Sequence, residues 1–354
     1  MMGQRFFYRV VGILIFVTTI ARFPTQAQFN KHIDKPKVAA VPLITYNRSY
    51  GGIFGAFGTL YFPINKRDTL SPASSVGMGG MISTNKTWFG FGFGKLYYAK
   101  DLFRTVLAGG RGDQNFQYYN ENYGTSGSFI NYSTLLNFIY GEQLVRTYGR
   151  LYTGVSFTYY KAKTTFEDEV APDSASVYKA IGIPITFDTR DNVNNPSTGW
   201  YSNARINRFD KALGSATEYT KLDLDASHYF HKKAGHVFAY KASINTALGK
   251  VPFEAQTIVG GKVLRGYSKG EYRGDQVYSL QGEYRVRFHK KWGSVFFAGA
   301  AVPVSKGDAD LNFLPSAGAG IRFLMIPDIG INIGLDAAVG KDDYGIYFRI
   351  GEAF

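Results

Sequence analysis

The chain has 354 residues, a formal net charge of +13 and no cysteine, and its mean hydropathy is −0.15. Without cysteine there is neither a disulfide framework nor a thiolate metal site, and no run of about 18 apolar residues follows the N-terminal segment, which excludes a transmembrane helix there. The content of tyrosine (26), phenylalanine (29) and glycine (41) is high, helical apolar periodicity is missing, and both features favour β-structure.

The N-terminal segment has the features of a secretory leader. The first nine residues contain two arginines and no acid, an apolar run extends from Val10 to Ile20, and small residues end at Ala27. The apolar run is too short to span a bilayer as a helix. We therefore predict a cleaved signal peptide over residues 1–27 and a short segment over 28–37 before the first strand. The alternative is a buried N-terminal helix.

From residue 38 to the C-terminus, apolar and polar residues alternate with a period of two, which is the pattern of β-strands. Between Tyr278 and Phe288, Leu280 and Val286 share one face, while Glu283 and Arg285 share the other. The alternation predicts sixteen strands, near residues 38–47, 51–62, 73–84, 86–98, 102–114, 128–141, 146–161, 177–189, 199–208, 217–230, 236–247, 277–288, 293–301, 315–323, 329–338 and 344–353.

Alternation alone fits a soluble sheet or a membrane barrel, and three features favour the barrel. The predicted strands have about 9 to 13 residues, the length of a tilted transmembrane strand. The negative mean hydropathy fits strands with one face in water. Aromatic pairs lie near the predicted strand ends, as interfacial girdles do: Tyr97-Tyr98, Tyr118-Tyr119, Tyr159-Tyr160 and Tyr229-Phe230. We predict an all-β protein, a 16-stranded antiparallel transmembrane β-barrel over residues 38–354.

The predicted connections differ in length at the two ends of the barrel. Those after even-numbered strands are mostly tight, at 99–101, 231–235, 289–293 and 325–328. Several after odd-numbered strands are long, at 115–127, 162–176 and 248–276. Short periplasmic turns and longer outer loops are typical of outer-membrane barrels. The segment 248–276 is then the sixth outer loop, and its glycines allow it to fold inward into the lumen.

Four motifs, in order, resemble the BamA/TamA-type outer-membrane assembly and translocation barrels, also called the bacterial surface antigen family. They span about residues 180–354: "FDTRDNVNNPSTGW" (187–200), "GGKVLRGY" (260–267), "GEYRVRF" (282–288), and "PSAGAGIRFL" (315–324) with the ending "FRIGEAF". The stretch "VPLITYNRSYGGIFGAF" (41–57) is similar to the family's first hairpin, though less specifically.

The resemblance implies site residues. The loop-lock motif comprises Leu264, Arg265, Gly266, Tyr267 and Glu283, the turn motif comprises Asp188, Arg190, Asp191, Asn192, Pro196 and Gly199, and the C-terminal signal comprises Gly351 and Phe354.

The loop arginine needs a partner in this chain. In the family it pairs with an aspartate of strand thirteen, in a Phe-x-Asp-x-Gly pattern, and Ala298 occupies that place here. A guanidinium in a half-dry lumen needs a carboxylate, so we predict that Arg265 pairs with Glu283. If it does not, Asp223 and Asp225 are the next candidates.

The resemblance also implies a function. Family members carry periplasmic POTRA modules before the barrel, and here only residues 28–37 stand in that place after the predicted leader. The first hypothesis is insertion or translocation of polypeptides in the outer membrane of a diderm bacterium, using a weak seam between strands one and sixteen. The alternatives are a passive or gated solute channel and, third, a lipid-active enzyme.

The expected partners are outer-membrane lipid and a separate periplasmic or client protein, with no nucleic acid. The inner-side turns that contain Lys232, Lys233, Lys290 and Lys291 suit anionic headgroups or such a protein. Neither the oligomeric state nor the client follows from the sequence.

Other motifs predict no further chemistry. "GFGFG" (90–94) places glycine at alternate strand positions with no helix after it, so it is not a phosphate loop. His228, His231 and His236 could ligate a metal, but ordinary turn-region histidines are the better interpretation. No serine–histidine–acid signature is present, and we expect no enzyme, cofactor or metal site.

Overall fold

The computed structural model describes residues 33–47, 50–120, 128–166, 174–268, 271–305 and 312–354. The predicted signal peptide, residues 1–27, lies outside the described residues, as do residues 28–32 of the segment that follows it.

The predicted 16-stranded antiparallel barrel is confirmed, and each strand pairs with its neighbours in chain order. The strands are β1 (Lys37–Asn47), β2 (Gly51–Phe62), β3 (Ser74–Ser83), β4 (Trp88–Tyr98), β5 (Phe103–Asn120), β6 (Ser128–Tyr148), β7 (Leu151–Phe166), β8 (Ser174–Asp188), β9 (Gly199–Phe209), β10 (Tyr219–Lys233), β11 (His236–Gly249), β12 (Gln276–Arg287), β13 (Trp292–Val304), β14 (Leu314–Ile326), β15 (Ile331–Val339) and β16 (Tyr344–Ile350).

Apolar side chains cover the outside of the barrel and polar ones line its lumen, the arrangement of a transmembrane barrel. On β12, Leu280 faces outward and is 60% exposed, whereas Glu283 and Arg285 on the other face are buried. Outward residues on other strands follow the same rule, including Ile44, Met78, Ile139 and Ile183.

The aromatic pairs predicted near the strand ends do not lie on the outside of the barrel as whole pairs. Successive residues of a strand point to opposite faces, so one member of each described pair enters the lumen. Tyr160 stacks on Tyr178 inside the barrel at a ring distance of 4.5 Å, while Phe230 stacks on Phe238. The side chains of Tyr118 and Tyr119 lie outside the described ones.

Strands β5 to β8 extend beyond their predicted ends, and this corrects two loops. The β5–β6 ladder continues to the Asn120–Ser128 pair, so the predicted loop 115–127 shortens to 121–127. Likewise the predicted loop 162–176 shortens to 167–173. Rings packed inside the extension stabilise it: Tyr132 lies 5.5 Å from Phe116 and 5.9 Å from Phe166.

The barrel has a terminal end, where β1 begins and β16 finishes, and a loop end opposite. Turns at the terminal end are mostly short, with exceptions at 63–73 and 189–198. The connection between β11 and β12 (250–275) is the longest at the loop end, and it contains a two-stranded ribbon of Thr257–Ile258 with Arg273–Gly274. Among the described residues, no helix has the length and apolar character needed to cross a membrane.

Candidate functional site

The loop tip lies inside the barrel, as the glycine-rich sequence predicts. Leu264, Arg265 and Tyr267 are 1%, 1% and 2% exposed. Leu264 and Tyr267 pack in an apolar cluster with Val259 and with wall residues such as Leu314. The side-chain amide of Gln281 donates to the Val263 carbonyl at 2.9 Å, which ties the tip to β12.

Arg265 binds two carboxylates on opposite sides of its guanidinium. Its Nη2 lies 2.5 Å from Oε1 of Glu283, the acid named from the sequence. Its Nη1 lies 2.8 Å from Oδ2 of Asp336 on β15. The guanidinium carbon stands 3.4 Å from the centre of the Phe297 ring, in cation–π geometry. Asp225, one of the two alternative acids, instead pairs with Lys241 at 3.0 Å.

The structure corrects the position that replaces the family's aspartate on strand thirteen. Ala298 points outward, whereas Phe297 faces the lumen and contacts Arg265. The lumen-facing residues of this stretch are therefore Val295, Phe297 and Gly299, and Phe297 contacts Arg265. The second carboxylate that binds Arg265 is that of Asp336. In the sequence, Asp336 lies on the polar face of a predicted strand, and this was the available signal for a lumen position. Its contact with the loop could not be predicted, because only the closing of the barrel brings β15 to the loop.

Gly266 is required at the loop tip because of a close approach and an unusual backbone angle. Its φ is +94°, and a Cβ there would lie 2.7 Å from the Val339 carbonyl. Its backbone N–H donates to the hydroxyl of Tyr347 at 2.9 Å. The hydroxyl of Tyr267 donates to the Pro315 carbonyl at 2.5 Å, so its polar tip is satisfied. The tip is thus attached to β14, β15 and β16.

The loop arginine belongs to a closed ring of alternating charges. We call the charge ring the set of Arg265, Glu283, Arg285, Glu352, Arg322 and Asp336. Its contacts after Arg265–Glu283 are Glu283–Arg285 at 2.7 Å, Arg285–Glu352 at 3.8 Å, Glu352–Arg322 at 3.0 Å, Arg322–Asp336 at 2.5 Å and Asp336–Arg265 at 2.8 Å. Arg349 of β16 adds a further bond to Asp336 at 2.7 Å. Sequence reasoning missed the ring.

The ring contains a residue of the C-terminal tail, which corrects the predicted last strand. Strand β16 ends at Ile350 rather than at residue 353, because Gly351 adopts a φ of +85° and turns the chain. The tail then enters the lumen, where the Phe354 carbonyl accepts a hydrogen bond from Arg285 at 2.9 Å. Asn332 donates to Glu352 at 2.6 Å. Gly351 and Phe354, which the resemblance assigns to a C-terminal signal, therefore lie at the lumen side of the wall.

The turn motif builds a second buried charge cluster at the terminal end. Asp188, with no exposed surface, pairs with Arg190 at 2.9 Å and with Arg104 of β5 at 2.7 Å. Arg104 also pairs with Asp101 at 2.9 Å. The Arg190 guanidinium lies 4.1 Å from the Tyr201 ring centre. These contacts join the turn between β8 and β9 to β5, three strands along the wall.

The other turn-motif residues shape the turn itself. Asp191 accepts the backbone N–H groups of Ser197 and Thr198, at 2.8 and 3.1 Å. The side-chain oxygen of Asn192 accepts hydrogen bonds from the backbone N–H groups of Asn194 and Asn195, at 2.8 and 3.0 Å. Pro196 is buried, and Gly199 starts β9 with a φ of +102°. Their role is therefore local turn geometry.

A polar chamber of about 550 Å³ lies in the lumen between the tail and the turn motif. Cationic side chains predominate in its lining: Lys95, Arg104, Arg190, Arg205, Lys241 and Lys262, against Glu142 and Asp225. Phe354 borders the same chamber. The lumen is thus partly filled by the loop and the tail, and beside them lies a space lined by more cations than acids.

The seam between β1 and β16 is short. In the described residues its ladder has one registered pair, Asn47 with Gly345. By contrast, β1 pairs with β2 along its whole length, from Lys37–Tyr61 to Asn47–Gly51. Tyr46 and Tyr344 add an outward ring stack at 6.5 Å. The barrel is nearly closed, and its weakest joint is the seam.

Comparisons with known proteins agree with this architecture. The model of the Omp85 superfamily domain matches residues 70–354. Among solved structures, BamA from Haemophilus ducreyi lacking POTRA domains 1-3 is similar with a TM-score of 0.56 and 14% identity, over 90% of this chain and 70% of that chain. No curated protein matches the chain.

Two CdiB structures are similar as well. CdiB from Escherichia coli has a TM-score of 0.61 and 14% identity, over 88% of this chain and 62% of that chain. CdiB from Acinetobacter baumannii has a TM-score of 0.57 and 12% identity, over 89% of this chain and 59% of that chain. At these identities the likeness shows a shared fold. The chain spans about three fifths of the two CdiB chains.

Proposed function

Because the chain belongs to the Omp85 superfamily, we propose that it is an outer-membrane barrel that assists the insertion or translocation of polypeptides. In this proposal the terminal end faces the periplasm and the loop end faces the outside. The proposal includes no catalytic chemistry. A client or chaperone that binds at the periplasmic side is its expected partner.

The observation that supports the proposal most directly is the short β1–β16 seam. Each ladder hydrogen bond contributes about 0.5–1.5 kcal/mol net in a protein. One registered pair therefore costs far less to separate than the full β1–β2 ladder. Unpaired backbone groups in lipid cost several kcal/mol each, so an incoming strand that paired with them would be stabilised.

In this proposal the charge ring stabilises the closed state of the seam. It joins the inward loop to the C-terminal tail, and Arg349 attaches β16 itself to Asp336. Opening at β16 would disturb the carboxylate that holds Arg265. In the proposed cycle, the loop lock and the seam are therefore coupled.

A gated solute channel is the second candidate, and the cationic chamber favours it. Such a channel would pass small anions when the loop or tail moves. The two candidates differ in whether the seam must open. Insertion of a client requires β1 and β16 to separate, whereas a channel conducts through the lumen with the seam closed.

A disulfide across the seam tests the proposal. The chain has no cysteine, and the register that pairs Asn47 with Gly345 places Tyr46 beside Ile346, both facing outward. Tyr46→Cys with Ile346→Cys locks the seam on oxidation. Ile44→Cys with Phe54→Cys, an outward pair on β1 and β2, is the matched control.

The readout is the folding of a urea-denatured outer-membrane barrel added to proteoliposomes, followed by its heat-modifiable band. The proposal expects oxidation of the seam pair to reduce insertion, the control disulfide to leave it unchanged, and reductant to restore it. Equal insertion with the seam locked and unlocked would reject the proposal. Strong anion conductance without any effect on insertion would favour the channel.

A further inference from the structure

Several cationic side chains project outward, toward lipid, at one place on the barrel wall. Arg111 on β5 and Lys161 and Lys163 on β7 are exposed. On β5, Leu107 is exposed and lies an even number of positions from Arg111, so both side chains point outward. On β7, the same holds for exposed Phe157 and the two lysines. Lys179 on β8 occupies the same face as Ile181. We call these four residues, Arg111, Lys161, Lys163 and Lys179, the cation belt.

The belt begins where the apolar band ends at the loop end. On β7 the outward residues run Val155, Phe157 and Tyr159 before Lys161. Strand β8 runs in the opposite direction to β7. Toward the loop end, its outward residues are therefore Ile183, Ile181 and then Lys179. An apolar band closed by an aromatic residue marks the hydrocarbon boundary, so the next outward position lies at headgroup level.

Strand register brings the belt together across the wall. Arg111 is registered with Asn137 of β6, and Asn137 with Lys161 of β7. Tyr159 is registered with Lys179 of β8, so Lys179 is a diagonal neighbour of Lys161. Adjacent strands are about 4.8 Å apart, which separates Arg111 and Lys161 at the wall by about 10 Å. Long side chains from both sides can contact one phosphate group over that distance.

The belt has little compensating charge on the described wall. Among the described residues, its four members make no ion pair. Asp113 lies two residues beyond Arg111 on β5, on the same face. Arg208 at the edge of the belt already pairs with Asp210 at 3.1 Å. On the described part of the wall, four cations without an ion pair therefore lie beside Asp113 and the already paired Asp210, which leaves a local positive surface that an anion would complement.

On the described strands of the opposite wall, the outward positions at the loop end carry no comparable group of cations. There the outward residues near the seam side are apolar or aromatic, such as Phe313, Val339 and Tyr344, which are 62%, 58% and 50% exposed. Exposed lysines also occur in loop-end turns elsewhere, at Lys86, Lys211, Lys250 and Lys341. In the described strands, however, β5–β8 is where several cations occupy neighbouring outward positions next to the apolar band.

We propose that the cation belt binds the phosphate groups of a phosphorylated glycolipid in the outer leaflet. The loop end faces the outside under the orientation stated above, and the outward direction of the side chains leaves lipid as the occupant. The glycolipid would hold the β5–β8 wall fixed in the membrane, several strands away from the seam. This inference is independent of whether the protein inserts clients.

Lipid binding by four-residue variants tests the proposal. The test variant is Arg111→Gln, Lys161→Gln, Lys163→Gln and Lys179→Gln. The control removes the same number of exposed cations at the terminal end: Lys35→Gln, Lys66→Gln, Arg67→Gln and Lys100→Gln. Detergent-purified full chains are titrated with bis-phosphorylated lipid A, with the same lipid after removal of its phosphates, and with phosphatidylglycerol. Native mass spectrometry measures the bound fraction.

The wild type and the control are expected to bind the phosphorylated lipid at least about tenfold more tightly than the dephosphorylated one, and the test variant to lose that preference. A heat-modifiable band confirms that each variant is folded, and Lys161→Arg should retain binding. Equal loss in the control, no preference for phosphate, or equally tight binding of phosphatidylglycerol would each overturn the proposal. If the four-residue variant does not fold, the single variants Arg111→Gln and Lys161→Gln are tested instead. Each is expected to lose part of the preference for the phosphorylated lipid.

Discussion

At the scale of residues, the loop tip is held by a guanidinium that shares two carboxylates with other arginines. Glu283 also binds Arg285, and Asp336 also binds Arg322. Removing Arg265 therefore leaves neither acid without a partner. The cost of the substitution falls on the loop, which loses the two carboxylate contacts of Arg265.

We expect Arg265→Ala to release the loop while the barrel still forms. Breaking a buried pair costs about 3–5 kcal/mol, and water in the lumen should lower this figure. A loss of about 1.4 kcal/mol in loop closure already raises the exposed population about tenfold. Glu283→Ala should have a smaller effect, because Asp336 keeps its contact with Arg265.

Limited proteolysis of the loop in the folded barrel measures this. Lys262→Ala, which removes an exposed cation from the same loop, is the control and should leave the cleavage rate unchanged. The double substitution of Arg265 and Glu283 should be no worse than Arg265→Ala alone, as expected for residues in contact. Full additivity of the two single effects would show that the residues do not act as partners.

At the scale of elements, the strands and their faces could be predicted, since each follows from local alternation. The contact of Arg265 with Glu283 was also accessible, because the loop leads directly into β12. The contact with Asp336 and the position of Phe297 were not, since they depend on the closed barrel. The extended ends of β5–β8 depend on ring packing between strands, which period-two counting does not detect.

The C-terminal tail is the element that local patterning misassigned. Its residues continue the alternation of β16, but Gly351 turns the chain and arginines from two strands hold the tail inside. A tail bound by tertiary contacts has no local sequence signal. Its position makes Glu352 a bridge between two ring arginines, Arg285 and Arg322.

We expect Glu352→Gln to weaken the loop lock although Glu352 does not contact Arg265. The substitution leaves the arginines of the ring with two carboxylates, Glu283 and Asp336, and the excess positive charge repels the loop guanidinium. Loop proteolysis should rise by a smaller factor than in Arg265→Ala. Glu218→Gln, an exposed carboxylate outside the ring, is the control. An unchanged cleavage rate would show that the ring does not couple the tail to the loop.

At the scale of the whole molecule, the features that carry the proposals lie at different places around the barrel and at its two ends. The seam lies between β1 and β16, the inward loop is tied to the wall next to it, and the cation belt lies on the far wall. The terminal end presents Lys232 and Lys233 at the end of β10, and Lys290 and Lys291 in the turn between β12 and β13, all exposed. In the described residues this end is formed by strand ends and turns. Under the proposed function these exposed lysines are the surface that a periplasmic partner protein would contact.

We expect that partner to be acidic where it contacts the two lysine turns. Reversing all four lysines to glutamate should weaken the complex recovered by crosslinking from the periplasmic side, and what binding remains should depend less on salt, because screening acts on the attraction that the substitution removes. The barrel should fold normally, since none of the four side chains is buried. The matched control reverses Lys161 and Lys163 at the loop end and should leave the complex intact. Binding that is unchanged in strength and salt dependence after reversal of the four lysines would place the partner's contact elsewhere on the terminal end, with the turn at 189–198 as the next surface to test.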